Sequence, residues 1–420
     1  MSHVPPRPLV WYVTQGYAIR GGHEAHVLHF ATELRDHGFD TRVLVLDELP
    51  HEEHRFMRLL RERGIDLESV RRTQGFQINM VFGLVAMLWG MWQLVRGRRP
   101  AWDVFRNYLA DRFAACRLRR KLNEERPAVI HIMGRLADYA WAVLPAERCV
   151  LHHGTEGRRD GTWDVAEFEG FRDFARRAAR NFAPGLGVAR NVAREFQIDR
   201  PIVPVFTICP DQAAGALNSA SSAARALGGT DEMIPLRFGM LCRMTPEKGI
   251  HDLLSALRLY RDRRGAVDFL LAGGGALEAE VRACVSQHAL QGVRVVSTFE
   301  SPVELLRTMD VFVHPSLSDA MPMAIAEALM CGLPCIVTRI GGIPDLVRDG
   351  QEGYLIEPGQ PAQIVAAMER FQDMTPDGRA AFARRARARY EEVCRPDRVG
   401  AIVAGHYRQI LAESGCNVPN

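Results

Sequence analysis

The sequence predicts an α/β protein made of two doubly wound Rossmann-like domains that face each other across a cleft. Three observations support this prediction. The chain has 420 residues, of which 47% are apolar, enough to bury two cores. Short apolar runs alternate with stretches of helical periodicity, as in parallel sheets covered by helices on both faces. The alternation occurs twice, on either side of a segment rich in Pro, Ala, Ser and Gly.

The first half begins with one strand–helix unit. An apolar run at Leu9–Val13 predicts a buried strand, and a glycine-bearing loop containing Gly21 and Gly22 follows it. The next apolar residues recur at helical spacing, and Gly38 is placed to end that helix. Further strands are expected at 41–46, 128–132 and 149–152. These elements predict a first domain over residues 1–205.

The second half repeats the same order of elements more clearly. Strands are expected at 236–241, 267–272, 293–296, 310–314 and 334–337, and helices at 251–260, 303–309 and 323–331. These elements predict a second domain over residues 233–395, joined to the first by a linker or flexible loop at 206–232. The periodic stretch within 396–420 predicts a C-terminal helix that packs back on the first domain.

Composition excludes several classes of protein. The 53 basic and 50 acidic residues give a net charge of only +3, unlike the strongly basic surface of a dedicated nucleic-acid binder. Lys121 and Lys248 are the only lysines, so each merits attention. The nine cysteines are odd in number and scattered without a CxxC pair, which indicates reduced thiols and no zinc site. No signal peptide is expected from the first residues, and the predicted location is cytoplasmic.

The apolar run Met80–Trp92 has two interpretations. Its 13 residues are fewer than the roughly 20 needed to span a bilayer. Nine basic residues follow within 96–121, opposed within that range only by Asp103 and Asp111. The run is either a buried helix followed by a solvated one, or residues 76–121 dock on the inner face of a membrane through apolar and arginine contacts.

The segment from Asp310 to Asp345 carries the clearest chemistry. A strand ends near His314 and a polar loop leads to a helix, in which Pro322 is predicted to be the first residue and Gly332 the stop. Free backbone N–H groups at such a terminus, beside the carboxyl edge of a parallel strand, bind anions. The residues at this terminus are Met321, Pro322, Met323 and Ala324. Asp319 and Glu327 would repel a phosphate there, so they are expected to accept hydrogen bonds from the hydroxyls of a sugar or ribose.

Two cations flank another loop between a strand and a helix. Arg243 follows the strand predicted at 236–241, and Lys248 precedes the next helix. Either residue alone reads as a surface charge. Together on one loop they can neutralise a diphosphate in a leaving group.

The second half resembles the glycosyltransferases of family 4, which have the GT-B fold. The resemblance is carried by five blocks in order: GMLCRMTPEKGI, FLLAGGG, HPSLSDAMPMAIAEALMCGLP, GGIPDLV and DGQEGYLIEPG. The first half resembles the family more loosely, through GGHE at 21–24, AVIHIM at 128–133 and LHHGT at 151–155.

This resemblance implies a retaining, metal-independent transfer of a hexosyl or N-acetylhexosaminyl group from a nucleoside-diphosphate sugar, such as a UDP- or GDP-sugar. It implies that Arg243 and Lys248 hold the diphosphate, Glu327 the ribose and Asp319 the sugar hydroxyls. The backbone of Ala320, Met321, Pro322 and Met323 would support sugar and phosphate. Gly21, Gly22 and His153 would lie beside the reacting carbon. The acceptor would be a glycan, a lipid-linked glycan or a small molecule, as in polysaccharide biosynthesis.

The chain departs from the family pattern at four positions. Asp319 and Asp345 replace glutamates, Ala320 replaces a glycine, and Met133 breaks a His-x-His pattern, so His131 is given no catalytic role. Two other functions stay open. A nucleotide-sugar-binding protein or inactive subunit would keep binding without turnover. An NAD-dependent dehydrogenase would share the doubly wound sheet, but no G-x-G-x-x-G follows the first strand.

Overall fold

A computed structural model describes residues 6–15, 22–47, 49, 55–70, 102–134, 136–154, 165–212 and 235–415. Three features singled out in the sequence lie outside these ranges: Gly21, the apolar run Met80–Trp92, and the Ala, Ser and Gly-rich stretch at 213–230.

The first domain holds a parallel sheet of seven strands within the described residues. In chain order they are β1 Leu9–Thr14, β2 Asp40–Val45, β3 Asp66–Ser69, β4 Val129–Met133, β5 Cys149–His152, β6 Arg180–Ala183 and β7 Val203–Pro204. Across the sheet the order is β3-β2-β1-β4-β5-β6-β7. The sheet order reverses between β1 and β4, the position at which ligands bind in doubly wound folds.

Helices cover both faces of this sheet. They are α1 Gly22–Asp36, α2 Arg55–Glu62, α3 Trp102–Glu125, α4 Asp138–Trp141, α5 Val165–Arg177 and α6 Leu186–Glu195. One core contains side chains of α1 and α2, and the opposite core contains those of α3, α5 and α6. α1 ends as predicted at Gly38, whose φ is +89°. The N–H of Gly38 donates to Arg35 and that of Phe39 to Leu34, which closes the last turn.

The second domain repeats this architecture with six parallel strands in the described residues. They are β8 Arg237–Leu241, β9 Asp268–Ala272, β10 Val293–Val296, β11 Val311–His314, β12 Cys335–Thr338 and β13 Gly353–Ile356, in the order β10-β9-β8-β11-β12-β13. The helices are α7 Ile250–Arg264, α8 Glu278–Gln287, α9 Pro302–Leu306, α10 Met323–Met330, α11 Ile343–Leu346, α12 Pro361–Gln372 and α13 Pro376–Val393. The predicted fold class is confirmed: both domains are Rossmann-like.

The last helix, α14, runs from Pro396 to Glu413 and returns to the first domain. Val399, Val403 and Tyr407 are buried in the same core as β1 and α1. The Tyr407 hydroxyl lies 3.2 Å from that of Tyr12 and 2.5 Å from Nδ1 of His131. The end of the chain therefore contributes to the core of its beginning.

The described part of the connection between the domains, residues 206–212, packs on the second domain. The Tyr390 hydroxyl donates to the carbonyl of Cys209 at 2.8 Å, and Arg387 forms an ion pair with Asp211 at 2.5 Å. Cys209 itself is buried among α10 and α13 side chains. These contacts attach the connection to the second domain.

Candidate functional site

The carboxyl edge of the second sheet brings the two chemical motifs together. β8 and β11 are adjacent and parallel, with Phe312 opposite Gly239, so the loops that follow them leave from the same edge. Lys248, after β8, places its Nζ 2.5 Å from Oδ2 of Asp319, after β11. The exposed fraction of the side chain is 15% for Lys248 and 14% for Asp319. Residues 71 positions apart thus form one ion pair in a protected position.

Backbone contacts hold the two loops against each other. The carbonyl of Glu247 accepts from the Ser316 hydroxyl at 2.9 Å and from the N–H of Leu317 at 2.8 Å. Gly249 has a φ of +68°, and a Cβ there would lie 1.9 Å from the carbonyl oxygen of Pro315. Only glycine permits this approach, and it positions Lys248 beside Asp319.

Asp319 is also bonded to His314, the last residue of β11. His314 Nε2 lies 3.2 Å from the Oδ2 that Lys248 contacts, and it donates to the carboxylate. Burial tends to raise the pKa of Asp319, but the His314 hydrogen bond and the Lys248 charge outweigh it and hold the pKa below its ordinary value. Asp319 is therefore ionised at neutral pH. The one signal for His314 in the sequence is its place at the end of a buried apolar strand, and no role was predicted for it.

Arg243 lies on the same loop as Lys248 but is exposed. Its guanidinium makes no hydrogen bond or ion pair in the described parts of the chain. The structure thus brings Lys248 and Asp319 into contact and leaves the Arg243 guanidinium available at the rim.

The N-terminus of α10 lies at this edge as expected, with one correction. Pro322 was predicted to be the first helical residue, but it is the N-cap, with extended dihedrals of φ −70° and ψ 128°, and the helix begins at Met323. The proline ring fixes only φ, and the extended ψ turns the chain from the loop into the helix. Gly332, with a φ of +71°, follows the end of the helix as predicted.

The residues before α10 are fixed by the loop after β12. The N–H of Gly342 donates to the carbonyl of Ala320 at 2.6 Å, and a Cβ on Gly341 would lie 2.1 Å from the carbonyl oxygen of Asp319. Ala320 is not among the residues with positive φ, so its side chain introduces no backbone strain where a glycine is frequent. Met321 packs against this loop, its Cε near Gly342.

Met323 connects the helix to the first domain. Its sulfur accepts from the Thr207 hydroxyl at 2.8 Å, and Nδ1 of His26, on α1, lies 3.0 Å from the same hydroxyl. Nothing in the sequence pointed to Thr207 or His26, because these residues are far apart in the chain and meet Met323 only in the tertiary structure.

Glu327 lies in the second turn of α10 and is partly buried. Enclosure by the protein raises the pKa of its carboxyl to about 7. Its side chain makes no hydrogen bond or ion pair to the residues that the structure describes. A carboxyl held this way can accept hydrogen bonds from a ligand's hydroxyls.

His153 lies at the opposite side of the cleft, directly after β5 at the carboxyl edge of the first sheet. Its Nε2 is 2.9 Å from Oδ1 of Asn181, whose amide donates to the carbonyl of Ala175, so Nε2 carries the proton. Burial lowers the pKa of His153 to about 4, so the ring is neutral at pH 7. Its contacts in the described residues are within the first domain. Gly22 is the first residue of α1, and Gly21 precedes the described range.

Two further sequence predictions concern metals and membranes. Within the described residues, no three His, Cys, Asp or Glu side chains are grouped so as to hold a metal ion. No helix in those residues is long and apolar enough to cross a bilayer. Metal independence and membrane docking through residues 76–121 both stay predictions.

Sequence comparison matches residues 235–373 to the family described as glycosyl transferases group 1. The amylovoran biosynthesis glycosyltransferase AmsK of Erwinia amylovora is 30% identical over 143 residues, 32% of this chain and 35% of that protein. The 2-deoxystreptamine glucosyltransferase of Streptomyces kanamyceticus is 27% identical over 214 residues, 50% of this chain and 53% of that protein. The chain thus spans between a third and just over half of the length of these relatives.

Solved structures match nearly the whole chain at low identity. Anabaena HepE in complex with UDP covers 95% of this chain and 99% of its own, with a TM-score of 0.71 and 16% identity. Sucrose-phosphate synthase of Thermosynechococcus elongatus covers 97% and 100%, with a TM-score of 0.70 and 15% identity. The chain therefore has the GT-B fold, and its second domain, over residues 235–373, carries the sequence pattern of the glycosyl transferases group 1.

Proposed function

We propose that the protein is a retaining glycosyltransferase of the family-4 type. It moves a hexosyl or N-acetylhexosaminyl group from a nucleoside-diphosphate sugar to a hydroxyl of a glycan, a lipid-linked glycan or a small molecule. The observation that carries the proposal is the Lys248–Asp319 pair at the carboxyl edge of the second sheet, 2.5 Å apart. It places a cation and an ionised carboxylate where a sugar diphosphate needs both.

The donor would use the two charges separately. Lys248, joined by Arg243, binds the diphosphate oxygens, and Asp319 accepts hydrogen bonds from the sugar hydroxyls. The N–H groups of Met321 and Met323 face the same edge, while Pro322 has none to donate. Glu327 accepts hydrogen bonds from the ribose hydroxyls.

The transfer breaks the bond between the anomeric carbon and the diphosphate oxygen, and the electron pair leaves with the diphosphate. Arg243 and Lys248 stabilise that developing charge. The acceptor oxygen attacks the anomeric carbon from the same face and forms the new bond, and its proton passes to the departing diphosphate oxygen. His153, Gly21 and Gly22 line the opposite side of the sugar in this proposal. No metal ion takes part.

The relatives suggest which nucleotide base the donor carries and which class of acceptor receives the sugar. HepE has been solved with UDP and with UDP-glucose, which makes uridine the first base to test. AmsK is described as an amylovoran biosynthesis enzyme, which favours a polysaccharide precursor as acceptor. We place the reaction in the cytoplasm, with residues 76–121 as the membrane contact if the acceptor is lipid-linked.

The test is a thermal-shift screen with UDP, GDP, ADP, dTDP and NAD, each without metal, followed by donor hydrolysis with the matching sugar nucleotides. A ligand at 100 times its Kd stabilises the folded state by about 2.7 kcal/mol, so one nucleoside diphosphate is expected to raise the Tm by several degrees. Stabilisation by NAD alone would instead indicate a dehydrogenase. Binding without hydrolysis or transfer would indicate a nucleotide-sugar-binding protein or an inactive subunit.

A further inference from the structure

A second polar cavity opens where the two domains meet. It has a volume of about 310 Å³ and is lined by three arginines, Arg190 and Arg194 from α6 and Arg339 from the loop after β12, with Asn191, Gly341 and Asp345. We call it the arginine pocket. α6 follows β6 and Arg339 follows β12, so both walls stand at carboxyl edges. The pocket therefore belongs to the cleft side of the molecule, where ligands of this architecture bind.

Two of the three arginines in the arginine pocket have no ion-pair partner among the described residues, and the third has two. Arg190 and Arg194 are exposed and lie four residues apart on one face of α6, and their guanidinium groups form no hydrogen bond or ion pair with the described residues. Like charges at this spacing destabilise a helix by a few tenths of a kcal/mol. Arg339 is half exposed, with Glu357 at 3.2 Å and Asp349 at 3.8 Å. Two of the three guanidiniums thus have all their donors available.

Asp345 is the one carboxylate in the lining, and it is engaged elsewhere. Its Oδ2 accepts from the N–H of Gly187 at 3.0 Å, so the second domain caps the first turn of α6. A Cβ on Gly187 would lie 2.6 Å from the carbonyl oxygen of Gly341. The two backbones therefore touch within the lining of the pocket. Glu357 and Asp349 neutralise Arg339 from outside the lining, so the uncompensated positive charge of the pocket comes from Arg190 and Arg194.

The arginine pocket adjoins the proposed donor site through a shared loop. Gly341 lines the pocket and also packs on the carbonyl oxygen of Asp319. Gly342 bonds to Ala320, directly after Asp319. The donor's diphosphate is already assigned to Arg243 and Lys248, on a different loop. An anion in the arginine pocket would therefore belong to the molecule that receives the sugar.

We propose that the arginine pocket binds an oxyanion of the acceptor. The matching chemistry is a carboxylate on an acidic sugar or a phosphate of a glycan carrier, since guanidinium groups bind either through paired N–H donors. The cavity volume of about 310 Å³ suits a monosaccharide or a diphosphate. This inference rests on the proposed function and adds the charge of the acceptor to it.

The test measures anion binding to the full chain by calorimetry at low ionic strength, with UDP present to occupy the diphosphate site. The probes are D-glucuronate, neutral D-glucose and inorganic pyrophosphate. Wild type is compared with the triple variant R190Q/R194Q/R339Q and with a control, R258Q/R263Q/R282Q, whose arginines are exposed on α7 and α8. We expect wild type and the control to bind an anion and not glucose, and the triple variant to bind it at least tenfold more weakly.

The outcomes separate the sources and the two proposals. Binding of glucuronate alone indicates an acidic sugar, binding of pyrophosphate alone a phosphate carrier, and either supports the pocket if the triple variant loses it. Equal binding by the triple variant and wild type, or no anion binding by wild type, overturns the inference. UDP affinity is measured in each protein by the same method. If UDP fails to bind while glucuronate binding is still lost in the triple variant, the donor assignment fails and the anion pocket stands.

Discussion

Lys121 and Lys248 are the two lysines of the chain, and the ammonium group of each contacts a carboxylate. The exposed fraction of the side chain is 17% for Lys121 and 15% for Lys248. Lys121 lies near the end of α3, which precedes β4 and therefore ends at the amino edge of the first sheet. Lys248 lies at the carboxyl edge of the second sheet. The two regions thus contain similar charges at opposite kinds of sheet edge.

Lys121 belongs to a closed network. It contacts Glu68 at 2.5 Å and Glu125 at 2.6 Å, and Glu125 also accepts from Nε1 of Trp11 and pairs with Arg42. Burial tends to lower the pKa of Lys121, but the two carboxylates outweigh it and raise the pKa. The network ties α3 to β1, β2 and β3.

Lys248 belongs to an open arrangement. Its carboxylate partner, Asp319, is shared with His314, and the side chains of Arg243 and Glu327 have no such partners in the described residues. An ammonium group with one shared partner can exchange it for phosphate oxygens. The comparison indicates that a lysine whose charge is fully paired within the protein has a structural role. Polar groups left without protein partners at the carboxyl edge of a sheet indicate a ligand site.

The largest effect is expected from Lys248→Ala. Loss of a charge that stabilises the leaving diphosphate should lower turnover of the donor found in the nucleotide screen by about 100- to 1000-fold. The Tm should change little, because Asp319 keeps His314. Steady-state kinetics and thermal melting check both expectations. Lys121→Ala is the matched control, and turnover reduced equally by both substitutions would remove the distinction between the lysines.

The neutral histidines of the first domain predict acid lability. Burial lowers the pKa of His131 to about 3 and those of His29 and His153 to about 4. The folded state resists protonation, so the stabilisation is complete above about pH 6.5 and is lost as the pH falls towards 4. One such histidine accounts for about 3 kcal/mol over that window. Denaturant titrations from pH 7.5 to 4 should show this loss with net proton uptake on unfolding.

A control variant separates buried from exposed histidines. His251 is half exposed and pairs with Glu280 on the second domain. His251→Asn should leave the loss of stability between pH 6.5 and 4 unchanged. Two results would contradict the assignment to the first-domain core. One is a loss of stability at acid pH that changes in His251→Asn. The other is a free energy of unfolding that stays constant from pH 6.5 to 4.

Glu327 predicts the opposite pH dependence at the second-domain edge. Enclosure raises the pKa of its carboxyl from the ordinary 4.5 to about 7. The folded state therefore favours the protonated form, and this stabilisation is complete below pH 4.5 and lost as the pH rises through 7. At pH 8 the free energy of unfolding of Glu327→Gln should exceed that of wild type by roughly 2–3 kcal/mol. The difference should vanish near pH 4.5. If the variant and wild type had equal free energies of unfolding at both pH values, the Glu327 carboxyl would be exposed to solvent.

The smallest effect is expected from Lys121→Ala on stability. Removing the ammonium leaves Glu68 and Glu125 facing each other, with Arg42 still present to neutralise part of the charge. We expect the free energy of unfolding to fall by about 1 kcal/mol, since the pair is only partly shielded from solvent. Lys121→Arg should recover most of it. A larger loss from Lys248→Ala than from Lys121→Ala in the same denaturant titration would reverse the comparison.

Periodicity predicted most elements to within a few residues, because buried strands and amphipathic helices repeat their apolar pattern locally. β5 and β10 match the expected bounds, whereas α9 ends three residues before the predicted stop at Met309. The candidate site was predicted in part. The sequence placed Lys248 and Asp319 on two loops that follow strands, but it predicted neither their ion pair nor the contacts of His314 with Asp319 and of Thr207 with Met323. Those contacts depend on strand order and on the meeting of the domains, which no local pattern encodes.

The sequence by itself determined the two doubly wound domains, the helix N-terminus at residues 321–324 and the residue types available for a sugar diphosphate, because these depend on neighbours within a few positions. Tertiary structure alone decided that α14 completes the first core, that Asp345 caps α6 across the cleft, and that Arg190, Arg194 and Arg339 line one pocket. Such contacts join residues far apart in the chain. Their geometry follows from how the two sheets pack, which hydrophobic periodicity leaves undetermined.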